Sequence, residues 1–270
     1  MQEEVKKEEN YIFPWGIHLG DLVNTKETIP LYTPSSDGGL CLLYDKISER
    51  RVDTLLESLL LELLSTMPYL SLKVDLFDFG KKKFYTLSPL QYMQTYQISY
   101  TKEMIEQRFI ELEDIVTSRH NELLCCARKD LNEHNQKSKM KQAYHILLIN
   151  LENFPSDDIS LRRVQNFVES SFQAGLYVIA FGYDEVLQSQ NQSLQAIVNY
   201  FKNIVVKNNE FAINKKIFEF VELFEDHNFE SLNLDKTNLL EKIMLNADLV
   251  NFSDPANIKL EVDTKVKGFE

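Results

Sequence analysis

Residues 39–67 read GLCLLYDKISERRVDTLLESLLLELLSTM. The stretch opens with an unbroken apolar run, Leu40-Cys41-Leu42-Leu43-Tyr44, of the length of a buried strand. It ends in Leu55, Leu56, Leu59, Leu60, Leu63 and Leu64, whose three-and-four spacing predicts a helix with a broad apolar face. A buried strand feeding a buried helix is the frame on which many nucleotide-binding proteins hang a glycine-rich phosphate loop. The connection here is DKISERRVDT, residues 45–54, with neither a glycine nor a Gly-Lys-Ser/Thr step. The frame of a phosphate site is present without its usual gripping residues.

Working outward, residues 17–19 and 29–32 predict two short strands around a polar turn, followed by the turn SSDGG before the central strand. Trp15 is expected to bury most of its ring there. Past Pro68, residues 72–79 alternate and then run apolar, a second strand. It leads into Asp78-Phe79-Gly80, which is also the metal-binding triplet of protein kinases; the catalytic-loop and glycine-loop signatures of that family do not accompany it. The triplet Lys81-Lys82-Lys83 reads as a solvated turn. Residues 84–101, rich in tyrosine, are expected to cover one edge of a sheet.

From Thr101 the spacing of Ile105, Phe109, Leu112, Val116, Leu123, Ala127 and Leu131 predicts one long helix to about Asn135, long enough to project as a contact surface. HILLINLENFP, residues 145–155, is the most strand-like segment. Residues 156–158 are expected to cap a helix that ends at Gly175, and residues 176–181 are the fourth buried strand. Strand and helix alternate throughout, which is the pattern of a mainly parallel sheet flanked by helices. After Asp184 the texture changes: a polar linker at 188–193 leads to a short helix at 194–201, a hairpin turning at Asn208-Asn209, a strand at 218–224 and a helix at 237–249, a small C-terminal α+β appendage. The expected organisation is a tail at residues 1–10, a domain at 11–187 and the appendage at 188–270, which trails into IKLEVDTKVKGFE.

The chain of 270 residues carries 29 basic and 41 acidic side chains, a net charge of −12. Nucleic-acid affinity rests on neutralising phosphates, so direct DNA binding by this chain is disfavoured. Its apolar runs fall short of a bilayer span, and its charged first ten residues are not a signal peptide, so a cytoplasmic location is expected. Three cysteines make no disulfide framework. Cys125 and Cys126, near His120 and His134, lack a paired zinc-ligand spacing and read as a half-buried helix face, so no metal site is expected.

Taken together, these segments resemble the ATPase domain of FtsK/SpoIIIE-type DNA translocases. IHLGDLVNTKETIPLY resembles the hairpin before that family's phosphate loop, GLCLLYD its first strand, VDLFDFG the strand that ends in Asp-Pro with Phe79 in place of the proline, and ILLINLENF the Walker B strand. GLYVIAFGYD resembles the strand that follows. The resemblance implies a RecA-like P-loop fold over residues 17–184. It is similar in more detail to the degenerate modules of multi-ATPase members of the family, with FVELFED and LLEKI resembling their connector.

On that resemblance Asp45, Lys46, Ser48, Arg50, Arg51 and Asp53 stand at the phosphate-loop position, and Glu152 and Asn153 stand where the Walker B Asp-Glu is expected. The implied role is a non-catalytic module with no catalytic residue of its own and no cofactor. It would act structurally beside an intact FtsK-like ATPase module, in cis or in trans, as part of a homo- or hetero-oligomer. Two alternatives follow. One is a divergent NTPase that takes ATP and Mg²⁺ through Arg50 or Arg51 and Glu152. The other is a stand-alone adaptor that binds a partner through the helix at 101–135.

Overall fold

The computed structural model describes residues 11–82, 84–125 and 128–253. Lys83, Cys126, Ala127, the tail at 1–10 and the run at 258–270 lie outside the described residues. A seven-stranded sheet forms the middle layer, in the order β5-β4-β6-β7-β3-β8-β9. Its strands are β3 (Gly39–Tyr44), β4 (Leu72–Phe77), β5 (Tyr96–Ser99), β6 (Tyr144–Asn150), β7 (Leu176–Tyr183), β8 (Lys202–Lys207) and β9 (Glu210–Ala212). Every pairing is parallel except β8 with β9. The expected mainly parallel α/β sheet flanked by helices is the observed architecture.

Strand side chains alternate between two cores, because successive residues of a strand point to opposite faces. Leu40, Leu42 and Tyr44 of β3, with Ile179 and Phe181 of β7, pack with the apolar face of α1 (Glu49–Thr66). Cys41 and Leu43, with Val178 and Ala180, pack on the other side with Phe109 of α2 (Lys102–Ser118) and Phe167 of α4 (Leu161–Ser170). Strands buried on both faces read as continuous apolar runs, which is why β3, β6 and β7 are legible from composition alone.

On the α1 side lies a second, three-stranded antiparallel sheet in the order β10-β1-β2, built from β1 (Gly16–Val23), β2 (Thr28–Pro34) and β10 (Asn228–Ser231). A bulge between His18 and Gly20 bends β1. Gly20 has φ +142°, and a Cβ there would meet the Glu230 carbonyl at 2.1 Å, so only glycine lets β10 approach. The segment after Gln188 is α+β in content. Its strands join the two sheets: β8 and β9 extend the main one and β10 extends the small one, while α5 (Gln192–Tyr200) packs on α4 and α6 (Lys236–Ser253) on α1.

Several expectations are corrected. The helix from Thr101 stops as an α-helix at Ser118, passes through a π-helical turn at Arg119–Leu124, and resumes only as α3 (Leu131–Lys137). The Arg119 guanidinium is turned inward and donates to the carbonyls of Ala174 and Ala143, which holds the chain against the sheet instead of letting a rod project. Residues 218–224 are not a strand: they contain a 3₁₀ turn, Val221–Phe224, in which Phe218 and Phe224 contact each other. The helix placed after residues 156–158 starts at Leu161. Trp15 lies 75% exposed against Tyr32, because β1 enters the core only at Ile17. The tyrosine-rich segment supplies the edge strand β5 itself. Among the described residues, no helix is long and apolar enough to cross a membrane.

Candidate functional site

In open α/β sheets, ligand chemistry gathers at the carboxyl ends of the strands. Four strands deliver polar residues there. Residues 45–48, after β3, turn straight into α1. The Ser48 N–H donates to the Asp45 side chain at 2.9 Å and to its carbonyl at 3.1 Å. The other Asp45 oxygen accepts the Asn208 N–H at 2.8 Å, and Ser48 Oγ accepts the Asn209 N–H at 2.8 Å. The connection is thereby tied to the β8–β9 hairpin, whose Asn208 and Asn209 both have positive φ, as a two-residue turn requires. Hydrogen bonds from Ser48 and then from Asn208 hold the Asp45 carboxyl below the usual carboxylate range.

The centre of the site is Lys82, expected in a solvated turn and found buried. Its chain leaves β4 and folds back over the head of α1. The Lys82 N–H donates to Asp78 Oδ2 at 2.7 Å. Its Nζ reaches Glu49 Oε1 at 2.7 Å and Asp53 Oδ1 at 2.9 Å, both on the first turns of α1. The ammonium also stands 5.2 Å from the Tyr44 ring centre and 5.8 Å from that of Phe181. Burial opposes the charge on Lys82, but Tyr44, Glu49 and Asp53 outweigh it and raise its pKa. Burial likewise works against Glu49, yet Lys82 and the Tyr183 hydroxyl, 2.8 Å away, hold its carboxyl below the ordinary value. At Asp53 burial wins and the pKa rises.

Asp78, fully buried, is the second hub. Its Oδ1 accepts from Asn150 Nδ2 at 2.7 Å and from Asn153 Nδ2 at 2.5 Å. Asn150 Oδ1 in turn accepts the Glu152 N–H. Of the two residues read from the sequence as a Walker B position, Asn153 is therefore buried in this network. Glu152 faces outward, with Lys81 Nζ at 3.5 Å. Arg50 and Arg51 take no part in the hydrogen bonds of Lys82 or Asp78. They line a separate groove with Asp21, Asn209 and Glu230, where Arg51 Nε meets Ser231 Oγ at 3.4 Å and its guanidinium lies 5.6 Å from the Phe211 ring centre. Lys46 is exposed and points to solvent.

The structure thus brings Asp53 together with Glu49, Lys82 and Tyr183, and Asn153 with Asp78 and Asn150. It separates both groups from Arg50 and Arg51. Lys82, Glu49, Asn150 and Tyr183 were missed by the sequence reading. A lysine in a run of three, four residues past a strand end, carries no periodicity that would mark it as internal. At the candidate zinc cluster, His120 Nε2 is 2.9 Å from the Ser170 carbonyl and His134 Nε2 is 3.1 Å from that of Met140. Among the described residues, no group of three or more His, Cys, Asp or Glu side chains is arranged to hold a metal ion.

The same architecture occurs in solved ATPase structures. ATPases 2 and 3 of EssC from Geobacillus thermodenitrificans match with a TM-score of 0.61 at 12% identity, over 90% of this chain and 50% of that one. The cytoplasmic domain of the type VII secretion ATPase EccC from Thermomonospora curvata matches at 0.59 and 10%, over 92% and 31%. The pCW3 conjugation coupling protein TcpA matches at 0.55 and 14%, over 90% and 72%. The chain shares the fold of these structures, a mostly parallel sheet flanked by helices. It spans about half the length of the EssC structure and about a third of the EccC structure. No family model and no curated protein matches the sequence.

Proposed function

We propose that this chain is a non-catalytic ATPase-like module with a degenerate Walker A loop, and that it acts structurally in an FtsK/SpoIIIE-type assembly. The observation that carries the reading is the Lys82 ammonium seated between Glu49 and Asp53. A P-loop offers backbone N–H groups and a lysine to phosphate. Here the head of α1 offers carboxylates, and the cation they hold comes from the protein itself. The Ser48 and Ile47 N–H groups are already directed at the Asp45 carboxylate. A triphosphate with Mg²⁺ does not fit these residues. It would displace Lys82 and face two acids within the first turns of α1, and phosphoryl transfer depends almost entirely on positioning and electrostatics.

The divergent-NTPase reading needs Arg50 or Arg51 and Glu152 on one ligand; the two arginines line a different groove, and Glu152 pairs with Lys81. A structural role agrees with the multi-ATPase architecture of the EssC and EccC neighbours, with an intact module in cis or in trans as the partner. The test is calorimetric titration with ATP and Mg²⁺, paired with a phosphate-release assay. No heat of binding and no phosphate release are expected; micromolar binding with turnover abolished by Glu152→Gln would overturn the reading.

A further inference from the structure

The place where Lys82 sits has more shape than an ion pair needs. Glu49 and Asp53 are one turn apart on α1, so their carboxylates share a face of the helix. Glu49 Oε2 accepts the Tyr183 hydroxyl at 2.8 Å, which leaves Oε1 for the ammonium. The rest of the wall is aromatic. Tyr44 of β3 and Phe181 of β7 are fully buried, and their ring centres stand 5.2 and 5.8 Å from Lys82 Nζ. Both rings are braced edge to face, Tyr44 by Tyr183 at 5.3 Å and Phe181 by Phe84 at 6.4 Å.

Carboxylates on part of a wall and ring faces on the rest receive an ammonium well. A hard divalent cation wants about six oxygens around it, and ring faces offer none. A phosphate would meet two carboxylates. The chemistry of the occupant is on view, since the group seated here is an alkyl chain ending in an ammonium, with its side chain 5% exposed. The backbone holds that chain in place from both sides. The Lys82 N–H is tied to Asp78, Gly80 makes the turn at φ +78°, and Phe84 is buried two residues further on.

We infer that the pocket at the head of α1 is a receptor for a primary alkylammonium, and that Lys82 is its built-in ligand. The inference rests on the reading that this place takes no nucleotide, and it adds what the place takes instead: the chemistry of a lysine side chain or a polyamine. In the native chain the pocket is filled from within, so a free amine finds no room. Cutting Lys82 back to its Cβ leaves a space of the size and charge of propylammonium, with Glu49, Asp53 and both rings still around it.

The test titrates propylammonium chloride into Lys82→Ala and into the native chain at constant ionic strength. The readouts are the urea unfolding midpoint and saturation-transfer NMR on the methylene protons of the amine. For Lys82→Ala the midpoint should climb as linkage requires of a ligand of the folded state, with a half-effect on the order of 10 mM, the weak range open to so small a ligand, and saturation transfer should appear. The native chain should show neither. Lys82→Met, which fills the space without a charge, should also show neither. Lys82→Ala/Asp53→Asn, which keeps the space and loses an acid, should bind about tenfold more weakly. If Lys82→Ala does not fold alone, refolding yield against the same additives is the readout, and propylammonium should restore it where n-propanol and Mg²⁺ do not. No saturable effect, an equal effect on the native chain, or equal rescue by n-propanol or Mg²⁺ would overturn the inference. Rescue by the amine supports it whether or not ATP binds the native chain, and absence of rescue overturns it even if ATP does not bind.

Discussion

Two buried cations sit at opposite ends of the main sheet and are held in opposite ways. At the carboxyl end Lys82 is met by two carboxylates and two aromatic faces. At the amino end Arg119, 7% exposed, is met only by backbone carbonyls, Ala174 at 2.6 Å and Ala143 at 2.8 Å, and burial pulls its pKa down. The Lys82 cluster neutralises charge between two segments of chain, the turn after β4 and the head of α1. Arg119 instead replaces secondary structure, satisfying carbonyls at the entries to β6 and β7 where no strand does. The first arrangement occupies the place where this fold binds ligands, and the second closes the opposite rim.

The largest effect is expected from Arg119→Ala. Two carbonyls lose their donor and a cavity opens, so stability should fall by about 3 kcal/mol in urea unfolding. Lys82→Ala should cost less, about 2 kcal/mol. Stripping a fully buried pair of one partner costs about 3–5 kcal/mol, but Glu49 and Asp53 are each about a third exposed, so water screens the orphaned charges. If Lys82→Ala proved the more damaging, the comparison would have to be inverted.

The two ends also part company with pH. Near the amino end, His145 is buried 3.1 Å from Asp75, which Arg108 also holds at 2.8 Å. Burial lowers the His145 pKa from 6.5 despite the Asp75 carboxylate. Burial would raise Asp75, but His145 and Arg108 bring it below 3.8. A depressed histidine contributes stability that is present above its unfolded pKa and is lost as pH falls through the folded one. Acid should therefore begin to weaken the protein just below pH 6.5, with Asp75 following below 3.8. His145→Gln, which keeps a donor but does not titrate, should flatten the first part of that decline in unfolding midpoints measured against pH.

At the carboxyl end the sign is reversed for Lys82. Its raised pKa means stability fully present below 10.5 and lost only as pH climbs through the higher folded value, a loss that Lys82→Met should remove. The smallest effect is expected at the hairpin that braces this end. Asn209 sits at φ +65°, so Asn209→Ala should cost about 1 kcal/mol and Asn209→Gly close to nothing, by the same unfolding assay.

The same contrast explains what could be read in advance. Strands β3, β6 and β7 are covered on both faces, so burial writes itself into an unbroken apolar run. The Asn208-Asn209 hairpin is written in its turn residues. Lys82 and Arg119 are opaque because a buried cation is defined by what surrounds it, and those partners come from distant chain positions: residues 49 and 53 for one, 143 and 174 for the other. The break after Ser118 is hidden for a related reason, since Leu123 and Leu131 keep helical spacing while the chain between them changes course. At the candidate site, the absence of a glycine and of a Gly-Lys-Ser/Thr step from residues 45–54 is plain in the sequence. The acid–ammonium cluster at the head of α1 is not.

The pairing of β1 with β10, Gly20 with Ser231, joins residues more than two hundred positions apart. During synthesis β1 has its hairpin mate β2 at once but waits for about two hundred further residues before its other edge is covered. Such long-range closure is slow. The β1–β2 hairpin is therefore locked late, and a polypeptide cut before residue 228 would carry it half-dressed, with a bare edge open to aggregation.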